Sequence, residues 1–212
     1  MSKKIYINPG HSDKDPGAVG YERERTLNVK CAEFMNRHLQ DTYHCQTRMN
    51  PGTMNSVKEV AADANRWQAD LMVSIHFNAG GGDGYEALVY SNSRVMLGKV
   101  FEKHVLAAGQ NSRGIKLRPD LGILRLTNMP AVLNEGAFVD NQKDIADWND
   151  DAELKSLGVA YAEAAAEFLG LVSKAAEPTL YRVQVGAFST MESAQAVQQK
   201  LRGAGFDGII VR

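Results

Sequence analysis

The chain has 212 residues, 44% of them hydrophobic, which suits a globular protein of one domain plus a small addition. Its formal net charge of −1, with no lysine or arginine block, argues against a nucleic-acid binder that works by neutralising phosphates. No apolar run approaches the length of a membrane span. The opening MSKKIYINPGH enters a strand without the apolar core of a signal peptide, so synthesis in the cytoplasm without a signal peptide is expected.

KKIYIN (3–8) reads as a first strand, followed by a loop dense in Gly, Pro, Asp and Ser. From Thr26, Leu27, Cys31, Phe34, Met35 and Leu39 recur at helical spacing. Cys45–Asn50 is a short strand, and NSVKEVAADANRWQ is an amphipathic helix with Val57, Val60, Ala61, Ala64 and Trp67 inward. The apolar run at Leu71, Met72, Val73 and Ile75 is a core strand that leaves the interior at His76 and ends in a glycine-rich turn. Tyr85–Ser91 is another strand, Arg94–Gly109 a helix closed by glycine, and Ala131–Phe138 a strand carrying Asn134 and Glu135. Asp151–Val172 is a long alanine-rich helix. Strands alternating with helices predict an α/β fold with a mostly parallel central sheet flanked by helices. Residues 173–179 form a polar linker. Residues 180–212 read as a small β-α-β unit, with strands at LYRVQVGAF and GIIVR and a helix between them that opens on a Ser189-x-x-Glu192 capping box. Cys31 and Cys45 have neither CxxC nor zinc-ribbon spacing and read as free thiols.

In open α/β sheets, ligands gather beyond the carboxyl ends of strands. His11 follows the first strand, Glu24 opens the first helix and His76 ends the core strand. His, Glu and His with one position left to water is a catalytic zinc set, and Glu135 would be the spare carboxylate that handles protons. Spacing alone leaves a structural role for these residues equally open. Asn78 and Arg125 lie near strand ends as candidate substrate contacts, with a structural role open for each. His38 reads as a surface residue, His44 as bordering a strand and His104 as helix packing. The glycine-rich stretches lack the lysine-serine of a phosphate loop and read as turns.

NPGHSDKDPGA, GYERERTLN, TRMN, AADANRWQADLMVSIHFNAGGGDGYEALVY and ILRLTNMPAVLNEGAFVDN occur in that order. Together they resemble the zinc-dependent N-acetylmuramoyl-L-alanine amidases (Amidase_3 family) over about Lys3 to Val172. The resemblance implies zinc on His11, Glu24 and His76, and a catalytic role for Glu135. Glu22 is the rival of Glu24, and the spacing to Leu27, Asn28 and Ala32 favours Glu24. The implied reaction is hydrolysis of the amide between the lactyl group of N-acetylmuramic acid and the L-alanine of the stem peptide, so the expected partner is peptidoglycan. Asn8 stands where the family usually has aspartate, and Ser12 where it has glycine; neither is a ligand, and altered loop packing is the expected effect.

The tail resembles one repeat of a SPOR domain, a wall-binding domain that normally has two. Either the domain is truncated, or a homodimer joins two halves. With no leader, the enzyme would act on the wall after release or lysis, as a mother-cell autolysin of sporulation or a phage endolysin. A wall-binding module without activity would be expected if Glu135 or a ligand were missing, and none is. A zinc peptidase acting on stem peptides shares the metal chemistry and differs in the bond cut.

Overall fold

The computed structural model describes residues 2–174 and 183–211. In chain order the elements are β1 (Lys3–Pro9), α1 (Glu24–Thr42), β2 (Cys45–Met49), α2 (Val57–Trp67), β3 (Leu71–Asn78), β4 (Tyr85–Val89), α3 (Val95–Ala107), β5 (Ser112–Leu117), α4 (Gly122–Arg125), β6 (Ala131–Phe138), α5 (Gln142–Ala146), α6 (Asp151–Leu169) and α7 (Met191–Gly203). The six strands form one sheet in the order β2-β1-β3-β6-β4-β5. Neighbours run parallel except β4 and β6, which are antiparallel. The mostly parallel sheet flanked by helices is therefore as the sequence predicts.

The helix ends follow local chemistry. Ser56 caps α2 by accepting from the Glu59 N–H, and Asp150 caps α6 by accepting from Ala152 and Glu153. Gly170 takes the left-handed conformation that closes α6 three residues short of the expected Val172. The edge strand β5 was not legible in advance. Its sequence, SRGIKL, is interrupted by a glycine and lacks a clean alternation.

The two faces of the sheet differ. On one, Ile5, Ile7, Val73, Ile75, Phe77, Ala87, Val89 and Val132 pack against Leu27, Cys31 and Met35 of α1, Phe101 of α3, and Leu157 and Tyr161 of α6. On the other, Tyr6, Met72, Leu88 and Leu133 meet Val60 and Ala64 of α2 and Ile123 and Leu124 of α4. Side chains alternate along a strand, so the same second face carries Asn8, Ser74, His76, Glu135 and Glu86 beyond those apolar residues. Half of that face is apolar and helix-covered, and the other half is polar.

The chain divides into two compact units, Met1–Glu177 and Pro178–Arg212. Residues 175–182, with most of the expected linker and the start of the expected strand, lie outside the described residues. In the second unit the helix forms as α7, but the expected strands do not: 183–188 and 208–211 have no regular structure. Val183 and Ile209 are 86% and 80% exposed. A strand needs a paired neighbour and a face to bury against, and a lone unit this small supplies neither. The α7 cap also differs, with the Thr190 hydroxyl accepting from the Ser193 N–H in place of the expected Ser189.

α1 crosses α6 at Gly158, where an added Cβ would lie 2.7 Å from the Cys31 carbonyl oxygen and 2.8 Å from Phe34 Cβ. In an exposed helix Gly→Ala gains up to about 1 kcal/mol. Here the sign reverses: Gly158→Ala is expected to lose roughly 1–3 kcal/mol through overpacking, read as a lower midpoint in urea unfolding. A raised midpoint would show that the crossing can relax.

Candidate active site

The loop after β1 is held by the first turn and a half of α1. Arg25 donates to the Pro9 and Gly10 carbonyls at 3.1 and 3.3 Å, and Asn28 donates to the Gly10 carbonyl at 3.2 Å. That clamp carries His11 in the left-handed region, φ 65°, which is rare for a residue with a side chain. The imidazole is thereby turned toward Glu24. His11 Nε2 lies 2.9 Å from Glu24 Oε2, and His76 Nδ1 lies 2.9 Å from Glu24 Oε1. The Ala18 and Phe77 N–H groups also donate to this carboxylate, at 2.9 and 3.4 Å. Two glycines make the convergence possible. A Cβ on Gly10 would stand 2.2 Å from the His76 ring, and one on Gly17 would stand 2.5 Å from both Glu24 and His11.

His11, Glu24 and His76 are thus brought together, with one ligand atom of each lying within 4.8 Å of the others. Glu22, the rival carboxylate, is not part of this group. Two imidazoles and one carboxylate from three separate elements form a donor set suited to a divalent metal ion with an open position. An ion would take the place of the hydrogen bonds that now join them. The cysteines stay apart from this set: Cys31 is buried in the apolar core, where burial pushes its thiol up, and both are free.

Electrostatics follow from the packing. Burial pushes the Glu24 carboxyl up, but hydrogen bonds from His11 and His76 outweigh it and hold the group well below the usual carboxylate range. His11 is raised from 6.5 to about 9, chiefly by its bond to Glu24, with burial opposing and Asp15 reinforcing. Glu135 sits on β6 in register with His76 on one side and Glu86 on the other. Its Oε2 is buried without a hydrogen-bond partner among the described residues. Burial pushes its carboxyl up to about 7, with His76 opposing and the charges of Glu24 and Glu86 adding to the rise.

Sequence reasoning missed Asp15, whose Oδ2 lies 2.9 Å from His11 Nδ1 and whose Oδ1 accepts from the Gly17 N–H. A carboxylate on the far nitrogen fixes a ligating imidazole's tautomer and orientation. The signal was an aspartate four residues after a candidate ligand within one loop. Also missed was Glu86, buried on β4, with Arg113 Nε at 2.6 Å and Lys116 Nζ bonded to the same oxygen, Oε1. Asn78 is close by, its amide donating to Glu86 Oε2 at 3.3 Å and its carbonyl accepting from the Ala79 N–H. Arg125, by contrast, ends α4 exposed and makes no ion pair among the described residues. Asn8 is buried in a polar network, donating to Ser74 Oγ and accepting from Asn50, both at 2.9 Å. His38 and His104 bond to Glu163 and Glu167 on α6, away from this centre. The 80–82 loop is indeed a turn, tied by Asp140 to the Gly80 and Gly81 N–H groups, and the space beside those two glycines is open.

Two outcomes are expected. In the metal-free protein the raised His11 value adds stability that is fully present below pH 6.5 and is lost as pH rises through about 9. A metal ion requires the neutral ring, so loading a divalent ion near pH 7 should expel about one proton, a release that fades above about pH 9. Calorimetry in buffers of different ionisation enthalpy reads this, and heats independent of the buffer would contradict it. Second, Asp15→Ala should weaken divalent-ion affinity about 10- to 100-fold. Unchanged affinity in a competition titration would mean that this bond does not orient His11.

The N-acetylmuramoyl-L-alanine amidase family model matches residues 5–167. The SPOR domain model matches residues 152–212, reaching back into α6 and beyond the 180–212 stretch expected from sequence. A sporulation-specific N-acetylmuramoyl-L-alanine amidase of Bacillus subtilis (strain 168) is 30% identical, covering 98% of this chain and 84% of that protein. An endolysin of Bacillus phage SPP1 is 33% identical over 82% of this chain and 69% of its own length. Among solved structures, the catalytic domain of CwlV, an N-acetylmuramoyl-L-alanine amidase from Bacillus (Paenibacillus) polymyxa var. colistinus, superposes with a TM-score of 0.75 at 27% identity. It covers 80% of this chain and 99% of that domain.

Proposed function

The chain belongs to the N-acetylmuramoyl-L-alanine amidase family, and from that premise we propose that His11, Glu24 and His76 hold zinc while Glu135 moves the protons of peptidoglycan hydrolysis. The protein is a peptidoglycan amidase that cuts between N-acetylmuramic acid and the L-alanine of the stem peptide. The observation that carries the assignment of residues is the approach of three donor atoms within 4.8 Å, with Glu135 in register beside His76. Zinc, when bound, supplies Lewis acidity to the scissile carbonyl and acidifies water near neutral pH.

The chain's own groups do the rest. The Ala18 and Phe77 N–H groups hold the Glu24 carboxylate in place between the two imidazoles. Asp15 holds the far nitrogen of His11. Glu135 accepts a proton from the attacking water at its unpartnered Oε2. As the water oxygen bonds to the lactyl carbonyl carbon, the C–N bond breaks, and Glu135 returns the proton to the departing alanine nitrogen. Burial raises this carboxyl above the ordinary glutamate range, which favours its taking up a proton.

We assign the cellular setting to sporulation. The support is the match over 98% of the chain, tail included, to an amidase named as sporulation-specific, against 82% for the phage endolysin. In this reading the protein is made in the cytoplasm and reaches the wall on release or lysis, and the second unit contributes affinity for wall glycan. The SPOR match supports that last point.

Digestion of purified peptidoglycan with mass spectrometry of the products tests the site. The wild type should release stem peptides with a free L-alanine amino terminus, and a chelator should stop it. Glu135→Gln should slow release about 10²- to 10⁴-fold with bound metal unchanged. Cleavage by Glu135→Gln at a rate near wild type would remove that residue from the reaction. Release of peptides lacking the L-alanine would move the cut to a peptide bond and favour the peptidase reading.

A further inference from the structure

Across the sheet the site's groups fall in a fixed order. The metal donors come from the loop after β1, the start of α1 and the end of β3. Glu135 follows on β6, Glu86 on β4, and Arg113 and Lys116 on the edge strand β5. Glu86 stands directly opposite Glu135 in the antiparallel β4–β6 ladder. Its side chain is only 6% exposed, whereas those of Arg113 and Lys116 are 40% and 44% exposed.

We propose that Arg113 and Lys116, anchored on Glu86 beside Glu135, form a subsite for a carboxylate on the peptide side of the scissile bond. The proposal rests on the amidase reading and deepens it. Three observations support it. Both cations bond to one oxygen of one carboxylate, so the cluster keeps a net charge of +1. Neutralising Glu86 needs one cation, and Asn78 already donates to the other oxygen, so the second charge exceeds what the buried carboxylate requires.

Arg113, moreover, spends only Nε on Glu86, and its two terminal nitrogens have no partner among the described residues. The guanidinium lies over the Phe138 ring, 5.2 Å from its centroid, which fixes the plane of the head group. A fixed, half-exposed guanidinium with free terminal N–H groups is the geometry that accepts a carboxylate through two parallel bonds. The neighbouring Arg118 lacks this freedom, because Asp120 already takes it in a two-pronged pair.

The direction of the substrate follows from the order of the strands. The carbonyl that is attacked belongs with the metal donors, and its nitrogen must receive a proton from Glu135. The chain beyond that nitrogen therefore runs toward β4 and β5, and it is the leaving peptide. A peptide offers a carboxylate at its C-terminus or on an acidic side chain, and the cations answer to either.

The test compares kcat/KM on soluble muramoyl-peptides that carry free carboxylates with peptides in which the C-terminal or the side-chain carboxylate is amidated, one at a time. Wild type should prefer the free acid roughly 10- to 100-fold, mostly through KM, the range that a charged hydrogen bond carries. The amidated position that loses this preference identifies which carboxylate is held. In Arg113→Gln and in Lys116→Gln the preference should collapse toward one. Arg113→Lys should restore only part of it, because a point charge cannot reproduce the fork. The readout is a ratio measured on one preparation, so partial unfolding of a variant cancels. Equal cleavage of free and amidated peptides by wild type would overturn the subsite alone, as would a preference that survives both glutamine substitutions. No cleavage at the muramoyl-alanine bond in any substrate would overturn the amidase reading and the subsite with it.

Discussion

The Glu24 carboxylate has almost no contact with water and serves four hydrogen-bond donors: two imidazoles and two backbone N–H groups. It stands at the first position of α1, where the partial positive charge of a helix N-terminus also favours an anion. A buried charge is tolerated only when it is fully bonded, and here two bonds come from the loop after β1 and two from the end of β3. The loop after β1, the start of α1 and the end of β3 are closed onto one another through this group. Arg25 and Asn28, one residue and one turn further along the same helix, clamp the Gly10 carbonyl. The first turns of α1 are thus shaped by the loop they hold as much as by helix packing.

The sheet supplies the second constraint. A strand side chain must face one side or the other, so the residues of the site share a face with Tyr6, Met72, Leu88 and Leu133. Helices α2 and α4 cover those apolar residues. The rest of the face carries the polar side chains Asn8, Ser74, His76, Glu135 and Glu86. An oxygen that is buried and unpartnered costs roughly 1–3 kcal/mol relative to a bonded one. The fold carries that cost at the position where the proposed mechanism needs a carboxyl that can take up a proton.

Much of this could be read from the sequence. The strand-end rule put His11, His76 and Glu135 at one edge of a parallel sheet, and family resemblance separated Glu24 from Glu22. What could not be read depended on contacts between distant segments. Asp15 gains meaning only once His11 is seen with its far nitrogen turned toward it. Glu86 gains meaning only from its partners, which lie on β5, an edge strand broken by Gly114 whose pattern carries little signal. Arg125 was chosen for closeness in sequence to a strand, and a four-residue helix carries it out to solvent. In the second unit the alternation of LYRVQVGAF is a real strand pattern, but a pattern cannot provide a neighbouring strand.

The charges across the sheet also explain why two carboxylates opposite each other can differ. Glu86 and Glu135 are cross-strand partners and both largely shielded, yet Glu86 is held below its ordinary range while Glu135 is raised. Burial acts upward on both. Lys116 and Arg113 bond directly to Glu86 and overcome it there. Glu135 has no such bonds, and the ionised Glu86 across the ladder raises it further. Environments that push paired titratable groups apart separate a fixed charge from a mobile proton. The cations on β5 thereby hold Glu86 as a fixed charge, while Glu135, without such bonds, is left as the carboxyl that can take up a proton.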